Sequence, residues 1–433
     1  MRTAVLGGVL VTPDEVIEDA GLLIEDGKIA FVGTREELEE SEDWEDELTL
    51  DEHDVILPGL INTHTHGPMT IFRGVADDLP LMQWLEEEIW PLEERLDAEK
   101  CRWGAALAAV EALKSGTTCL VDMYFYMDAV AEAYAEAGIR AVISHGMIDL
   151  GDEDKREEEL KETRRIYRKC HGLEDLIEVS LGPHAPYTCS EELLREVRRL
   201  ADEWGVKIQI HVAETRDEVK QVKEETGRRP VEYLDEIGLL GDDVIAAHCV
   251  WLTDEEIDTL ARREVIVSHN PASNMKLASG VSPVPDMLDR GVTVTIGTDG
   301  CASNNNLDML EEMKLAALLH KVDREDPTAT KALKILKMAT SWAEGVYSLA
   351  KIGRIEEGYA ADLVILDGSS PRMSPCHSPV SNIVYSATGA DVKHVFVGGE
   401  QVVENGRVTT VDEEEVLERA RECAEQLTAS NRT

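Results

Sequence analysis

Histidine and aspartate side chains stand at the ends of several short apolar runs in this sequence. His64 and His66 lie two residues apart at the end of the first such run, and alternate residues of a strand point to the same face. Later runs end at further groups of the same kind, His211, His248, His269 and Asp299. One histidine at a strand end is more often a structural group than a ligand. Several imidazoles and a carboxylate buried together are unfavourable unless a cation compensates them, so the set predicts a metal site.

Such a site would carry out hydrolysis. Imidazole nitrogens and a carboxylate oxygen suit zinc, and ferrous iron is the alternative. Water held by zinc in this way ionises with a pKa of about 7 instead of about 15.7, which provides hydroxide at neutral pH. The residue types therefore predict a metal-dependent hydrolase.

The apolar runs themselves predict the scaffold. From about residue 54, runs rich in Val and Ile alternate with amphipathic stretches of helical length, a pattern typical of βα units. The runs are Val55–His66, Thr117–Asp122, Ala141–His145, Ile177–His184, Lys207–Glu214, Val244–His248, Val265–His269 and Val292–Asp299. Eight units over about 250 residues match an α/β fold of the (β/α)8 TIM barrel type, whose active site lies at the C-terminal ends of its strands. No Gly-x-Gly-x-x-Gly follows a run, which argues against a dinucleotide-binding open sheet.

Both ends of the chain have a different, β-rich pattern. Thr3–Val11 is a short apolar run near the N-terminus, and Val392–Val397 is a counterpart near the C-terminus. Neither end has enough strands for a sandwich alone. We therefore expect residues 1–54 and 355–433 to form one composite β-sandwich domain beside a catalytic barrel of residues 55–354.

The acidic surplus restricts the partners. The chain has 43 Lys and Arg against 87 Asp and Glu, and its net charge of −44 repels nucleic acids and anionic membranes. The acids recur throughout predicted helices, which favours a solvated, halophilic surface adapted to high salt over a cation-binding tail. No apolar run is long enough to cross a membrane and no leader is evident, so we expect a cytoplasmic homo-oligomer. The eight cysteines lack a Cys-x-x-Cys pair and are expected to be buried thiols.

Four motifs carry a resemblance to a known family. Pro58–His66, with the sequence Pro-Gly-Leu-Ile-Asn-Thr-His-Thr-His, resembles the first-strand signature of the amidohydrolase superfamily. Gly182–Tyr187, Ser268–Asn274 and Gly297–Gly300 running into 302–305 resemble its 5-methylthioadenosine/S-adenosylhomocysteine deaminase branch. The resemblance extends over nearly the whole chain, and triazine chlorohydrolases and guanine deaminases share much of it. It implies hydrolytic deamination of a small-molecule nucleoside.

The resemblance also implies which residues hold the metal. The ligands correspond to His64, His66, His211 and Asp299. Relatives with two metals carry a carboxylated lysine after the fourth strand, whereas here that strand ends at His184 with no lysine nearby. One divalent metal ion per subunit is therefore expected, with zinc as the first choice and iron as the alternative.

Further matches imply the catalytic and substrate-binding groups. Glu214 corresponds to the catalytic acid/base, and His248 corresponds to a histidine that hydrogen-bonds the water on the metal. Glu93 corresponds to the acid that holds the ribose hydroxyls. His184 corresponds to a histidine that contacts the substrate, and Asp299 faces the substrate as well as the metal.

One departure from the family concerns the 5′ substituent. Relatives that handle the homocysteine tail have an arginine where the third strand ends, and this chain has His145 there. Arg156, in the loop expected to follow, could bind the tail instead. The open substrates are 5′-methylthioadenosine, 5′-deoxyadenosine, adenosine and S-adenosylhomocysteine. Trp84 and Ser303 are further candidates for the substrate site, although Trp84 could equally pack a loop.

Deamination of an adenine ring fits these groups. Glu214 would protonate the ring nitrogen beside C6, Asp299 would accept a proton from the attacking water and His248 would orient it, and each such group contributes about 10²–10⁴-fold. The His-x-Glu and Pro-Cys-x-x-Cys motifs of another deaminase scaffold are absent. The alternatives are a triazine-type chlorohydrolase or a guanine deaminase. Their substrates are bare heterocycles without ribose, so a ribose-binding Glu93 would have no function there. A non-enzymatic reading is a degenerate barrel that is retained for assembly. Such a barrel would have lost metal ligands or Glu214, whereas this sequence has all of these residues.

Overall fold

The structure, a computed structural model, describes residues 2–79 and 83–428. The strands in this range, in chain order, are β1 Arg2–Leu6, β2 Val9–Val11, β3 Val16–Glu18, β4 Ala20–Glu25, β5 Lys28–Thr34, β6 Asp46–Thr49, β7 Val55–Pro58, β8 Leu60–Thr65, β9 Thr117–Tyr124, β10 Arg140–Met147, β11 Ile177–Val179, β12 Gly182–Pro183, β13 Ile208–Val212, β14 Val244–His248, β15 Ile266–His269, β16 Thr293–Ile296, β17 Leu363–Leu366, β18 Val392–Val397, β19 Glu400–Glu404 and β20 Arg407–Val408.

Helices occupy most of the intervening segments. They are α1 Arg35–Ser41, α2 Trp90–Glu93, α3 Ala98–Lys114, α4 Met127–Ala137, α5 Glu153–Cys170, α6 Glu191–Trp204, α7 Arg216–Thr226, α8 Pro230–Glu236, α9 Asp254–Arg262, α10 Pro271–Lys276, α11 Val284–Asp289, α12 Met309–Arg324, α13 Ala332–Ala339, α14 Pro379–Tyr385 and α15 Glu413–Thr428. A π-helical stretch, Trp84–Ile89, precedes α2, and short 3-10 turns lie at Gly67–Phe72, Glu344–Val346 and Gly389–Asp391.

Helix α6 illustrates how the sequence specifies these elements. Ser190 caps its N-terminus, because the hydroxyl accepts a hydrogen bond from the backbone N–H of Leu193. The apolar residues recur at helical spacing, and those buried are Leu193, Leu194, Val197, Leu200 and Ala201. Gly205 ends the helix with a φ of 68°, a left-handed conformation that glycine adopts without a Cβ penalty. One face is thereby packed against the strands and the acidic face is left to solvent.

Two parallel sheets contain the strands that the apolar runs predicted. Their strand orders are β11-β10-β9-β8, with β12 beside β10, and β13-β14-β15-β16. All pairings within them are parallel. The predicted α/β alternation is confirmed, and the polar run ends lie at the C-terminal ends of these strands.

The predicted run Val55–His66 is two strands, which corrects the sequence interpretation. β7 pairs with β17 and β2 in a sheet built from the chain termini, whereas β8 pairs with β9. Gly59 lies between them, and a Cβ at Gly59 would stand only 2.1 Å from the Thr118 hydroxyl oxygen. Because only glycine fits this close approach, the chain can pass here from one sheet to the other.

The predicted run Thr3–Val11 is likewise divided. Gly7 and Gly8 have φ values of 90° and 70°, so the chain turns between β1 and β2. β1 belongs to a sheet of order β5-β4-β1-β6, and β2 belongs to a sheet of order β20-β19-β18-β17-β7-β2-β3 that combines strands from both ends of the chain. Apolar residues of both sheets, among them Leu22 and Ile365, share one buried cluster.

Cysteine burial largely follows expectation. All eight cysteines are free thiols, and seven are buried. Cys376 is exposed, which corrects the expectation for that residue. In the described part of the chain, none of the helices is both long enough and apolar enough to traverse a bilayer.

A buried ion pair joins the parallel strands to the terminal sheet. Arg140, the first residue of β10, donates to Asp362 over 2.8 and 3.1 Å, and the two side chains are 6% and 1% exposed. Asp362 also accepts the backbone N–H of Gly398 at 2.7 Å. The Asp362 carboxylate therefore accepts hydrogen bonds from both Arg140 and Gly398. Its removal would leave the buried Arg140 guanidinium without this partner.

We expect the Asp362→Ala substitution to lower the free energy of unfolding by about 3–5 kcal/mol, because breaking a buried pair leaves a buried charge without a partner. Urea transitions followed by circular dichroism would measure the change. Glu224→Ala, which removes an exposed pair with Lys220, is the matched control and should cost about 0–1 kcal/mol. Similar small losses in both variants would contradict a structural role for the buried pair.

Candidate active site

Four side chains from the ends of β8, β13 and β16 converge. The His66 Nε2 atom lies 3.3 Å from Asp299 Oδ1 and 3.4 Å from His211 Nε2, and His64 Nε2 lies 3.7 Å from the same Asp299 oxygen. A tetrahedral zinc ion with ligands at about 2.0–2.2 Å separates its ligand atoms by about 3.3–3.6 Å. The two separations from His66 match this spacing, and the one between His64 and Asp299 is slightly longer.

Hydrogen bonds orient the imidazoles towards this point. His66 Nδ1 donates to the Met123 carbonyl at 2.6 Å, and His211 Nδ1 donates to the His184 carbonyl at 2.7 Å, so each Nε2 lone pair is free to coordinate. His64 Nε2 is buried without a hydrogen-bond partner in the described part of the chain. Burial places the pKa of His64 and His211 well below the ordinary value, so both are neutral, as ligands must be. An orphaned buried nitrogen among neutral imidazoles fits a bound cation.

Asp299 is held rigidly as the anionic member of the group. Its Oδ2 accepts hydrogen bonds from Ser273 at 2.6 Å and Ser303 at 3.0 Å. Burial acts to raise the pKa of Asp299, but the neighbouring histidines, chiefly His66 and His248, and the Ser273 hydroxyl outweigh burial and place the pKa well below the usual range. The carboxylate is therefore ionised and available as a ligand or base.

Glu214 follows β13 and lies in the same cavity. Its pKa is raised by burial, although His248 and the Ser279 hydroxyl, 3.3 Å from Oε1, act in the opposite direction. The buried carboxylate of Glu218 accepts the backbone N–H groups of Ala213 and Glu214, each at 2.7 Å. These bonds hold Ala213 at a φ of 51°, a strained conformation of the kind concentrated at functional sites. Glu214 is thus a largely buried carboxyl whose surroundings favour its protonated form more than water does.

His248, at the end of β14, faces both acids. Its Nε2 atom lies 3.8 Å from Glu214 Oε2 and 4.0 Å from Asp299 Oδ2. Its Nδ1 donates to the Asn274 amide oxygen at 2.9 Å, which sets the ring orientation. Burial lowers the pKa of His248, but the two nearby carboxylates raise it above the ordinary value. His248 is therefore suited to hold a water or hydroxyl between the acids.

The cavity around these groups has a volume of about 760 Å³, part of it open to solvent. Glu93, on α2, lies in its wall and accepts a hydrogen bond from the Tyr124 hydroxyl at 2.7 Å. Burial raises the pKa of Glu93, and that hydrogen bond opposes the rise. His184 and Trp84 also line the cavity; burial lowers the pKa of His184 to about 4, so this ring is neutral. The Trp84 indole donates to the Ala76 carbonyl at 3.1 Å.

The two groups considered for the substrate tail lie elsewhere. His145 is paired with Glu159 at 2.5 Å, and Arg156 stands 3.6 Å from the buried carboxylate of Asp149. Arg156 lies on α5 and not in a loop, which corrects the sequence interpretation. Neither residue is among the described residues that line the cavity. His269 also lies outside it, with its Nε2 atom 3.1 Å from that of buried His320.

The structure adds residues that sequence reasoning did not assign. Asn274 and Ser273 belong to the quoted Ser268–Asn274 motif, where polar side chains without a role were the available signal. Tyr124 lies two residues beyond the predicted end of its strand, on the same face as Asp122. No sequence pattern pointed to Ser279, because its contact with Glu214 depends on the path of a loop.

Comparisons with known proteins agree with this geometry. The profile of the amidohydrolase family matches residues 55–402. A 5′-deoxyadenosine deaminase of Methanopyrus kandleri is 78% identical over 431 residues, covering 99% of this chain and all of that protein. A 5-methylthioadenosine/S-adenosylhomocysteine deaminase of Thermococcus sibiricus is 49% identical, covering 93% of this chain and 94% of that protein. The crystal structure of a zinc-bound adenosine deaminase from Xanthomonas campestris superposes with a TM-score of 0.93 at 35% identity, covering 99% of this chain and 98% of that one. Triazine hydrolases and a guanine deaminase are also structural neighbours.

Proposed function

The chain belongs to the amidohydrolase family, and we propose that it is a metal-dependent deaminase that converts 5′-modified adenosines to the inosine analogue and ammonia. The observation that carries this proposal is one cavity that holds a largely buried acid, Glu214, beside the proposed metal ligands and a second acid, Glu93, suited to sugar hydroxyls. The names of three relatives, two 5′-deoxyadenosine deaminases and one 5-methylthioadenosine/S-adenosylhomocysteine deaminase, support it.

The proposed metal ligands are His64, His66, His211 and Asp299. Their spacing and the neutral imidazoles of His64 and His211 support a single zinc ion, with iron as the alternative. When bound, the ion supplies Lewis acidity that lowers the pKa of a water from about 15.7 towards about 7.

The chain's own residues move the protons. Glu214 donates a proton to the ring nitrogen beside C6 as water attacks that carbon, and Asp299 takes the proton that water loses. Collapse of the tetrahedral carbon returns the hydroxyl proton to Glu214, while the proton on Asp299 leaves with the amino group as ammonia. His248 holds the oxygen during the transfer, since its Nε2 faces both acids.

The cavity walls support a preference among nucleosides. No Lys or Arg is present among the described lining residues, and apolar groups such as Leu85, Phe125 and Ile148 face the space instead. Because His145 and Arg156 are paired with carboxylates outside the cavity, the carboxylate of the homocysteine tail would find no cationic partner among the described lining residues. We therefore propose 5′-deoxyadenosine and 5′-methylthioadenosine as preferred substrates over S-adenosylhomocysteine.

Turnover of these nucleosides tests both statements. We expect kcat/KM for 5′-deoxyadenosine to exceed that for S-adenosylhomocysteine by at least about tenfold, since an unpaired buried polar group costs about 1–3 kcal/mol. The absorbance change from adenine to hypoxanthine, followed in high salt, measures both rates. Guanine and a chlorinated triazine serve as control substrates. The absence of any change with every adenosine, or turnover of the control substrates alone, would overturn the proposal.

The scaffold is proposed to be a closed (β/α)8 barrel with a small β-sandwich domain. Contacts at both junctions of the two parallel sheets support closure: Asp299 N donates to the His64 carbonyl at 2.9 Å, and Gln209 N donates to the Leu181 carbonyl at 2.8 Å. The cluster shared by the two terminal sheets supports a sandwich built from residues 1–54 and 355–433.

A further inference from the structure

Glu93 is attached to the strands through tyrosine side chains. The residue lies on α2, a short helix between strands β8 and β9 in the chain. The Tyr124 hydroxyl donates to Glu93 Oε1 at 2.7 Å, and the Tyr126 hydroxyl donates to the Leu96 carbonyl at 3.2 Å. Tyr124 is the last residue of β9 and Tyr126 follows two residues later, so the end of this strand and the turn after it hold the segment that carries Glu93.

The same strand end orients one of the proposed metal ligands. The Met123 carbonyl accepts the His66 Nδ1 proton at 2.6 Å, one residue before Tyr124. Met123 and Tyr124 are 2% and 4% exposed. Because consecutive residues of one buried strand contact the His66 ring and the Glu93 carboxylate, the position of that carboxylate relative to the metal-ligand set is determined by β9.

The hydrogen-bonding capacity of Glu93 leaves room for a sugar. An ionised carboxylate offers about four acceptor positions, and Tyr124 uses one of those on Oε1. The two vicinal hydroxyls of a ribose supply two donors, so both can be accepted while the phenol remains bound. The phenol also limits rotation of the carboxylate, which would otherwise have to be ordered when the nucleoside binds.

We propose that Tyr124 is a positioning residue for sugar recognition, which fixes the Glu93 carboxylate to receive the 2′ and 3′ hydroxyls of the substrate. The inference rests on the proposed function, because it takes Glu93 as the group that binds ribose. Tyr124 acts through Glu93, so its contribution exists only for substrates that carry the sugar hydroxyls.

Substrates with and without these hydroxyls test the inference. Adenosine and 2′,3′-dideoxyadenosine differ only at the two positions, and wild-type protein should favour adenosine in kcat/KM. We expect Tyr124→Phe to reduce that preference by roughly tenfold or more, mainly through a higher KM for adenosine, because a hydrogen bond to a charged group is lost. Its kcat/KM for the dideoxynucleoside should stay within about twofold of wild type. Equal losses with both substrates would indicate a purely structural role and overturn the inference.

Matched variants make the result specific. Tyr134→Phe removes another buried phenol, which donates to Asp122 at 2.5 Å, and should leave the preference between the two nucleosides unchanged. In a Glu93→Gln background, Tyr124→Phe should produce no further loss of preference. A further loss there would show that Tyr124 acts independently of Glu93 and would contradict the inference.

Calorimetric binding separates this inference from the proposed function. If wild-type protein converts neither nucleoside, the proposed function fails, but the ratio of Kd values for adenosine and 2′,3′-dideoxyadenosine still tests Tyr124. The inference requires that Tyr124→Phe raise this ratio towards one, because the variant should bind adenosine more weakly and 2′,3′-dideoxyadenosine as wild type does. An unchanged ratio, or wild-type protein that binds both nucleosides equally or binds neither, overturns it.

Discussion

Replacing Glu214 with glutamine is expected to lower kcat by about 10²–10⁴-fold, the contribution of one positioned acid–base group. Glutamine keeps the size and the hydrogen bond from Ser279 but has no acidic proton to give to the ring nitrogen. The loss should appear in kcat more than in KM, because the proton is needed in the transition state and not for binding the nucleoside. Single-turnover and steady-state rates with 5′-deoxyadenosine would measure it.

The control for this variant is a change of the same kind on the surface. Glu255→Gln alters an exposed glutamate of α9 and should leave kcat unchanged. Metal content of Glu214→Gln, measured by plasma emission spectroscopy, should equal that of wild type, because Glu214 is not among the proposed ligands. Wild-type kcat in Glu214→Gln would remove this residue from the mechanism.

Removal of the metal is expected to abolish deamination, with a fall of at least about 10⁴-fold, because the attacking water returns to a pKa near about 15.7. Dialysis against a chelator should produce the loss, and added zinc should restore the rate in proportion to the zinc bound. The thermal midpoint should fall as well, since an ion bound only by the folded state stabilises it by about 2.7 kcal/mol at a hundred times Kd.

Variants of two histidines test whether the proposed residues hold that ion. His211→Ala should lose both metal and activity, because His211 Nε2 is one of the converging donor atoms. His377→Ala removes an exposed histidine and should lose neither. Full activity of metal-free wild-type protein, or full metal content in His211→Ala, would contradict the assignment.

The sequence alone predicted those features of the protein that depend on the short periodicity of strands and helices. Residues two apart on a strand share a face, so the spacing of His64 and His66 predicted neighbouring imidazoles. The alternation of apolar runs and amphipathic stretches predicted the parallel strands, and the ends of those runs brought His211, Glu214 and Asp299 to one rim. These inferences depend on local periodicity, which a linear sequence displays directly.

Tertiary structure decided the features that depend on distant neighbours. Gly59 divides one apolar run between two sheets because Thr118 leaves no space for a Cβ, and the run itself shows no break. His145 and Arg156 are excluded from the cavity by carboxylates 14 and 7 residues away in the chain, Glu159 and Asp149.

The contacts of Tyr124 with Glu93 and of Ser279 with Glu214 join residues 31 and 65 positions apart. Side-chain periodicity reports which face a residue lies on, whereas its hydrogen-bond partner is determined by the packing of other elements against that face. The sequence therefore predicted the proposed metal ligands and the acid beside them, and only the folded chain determined which groups hold those side chains in place.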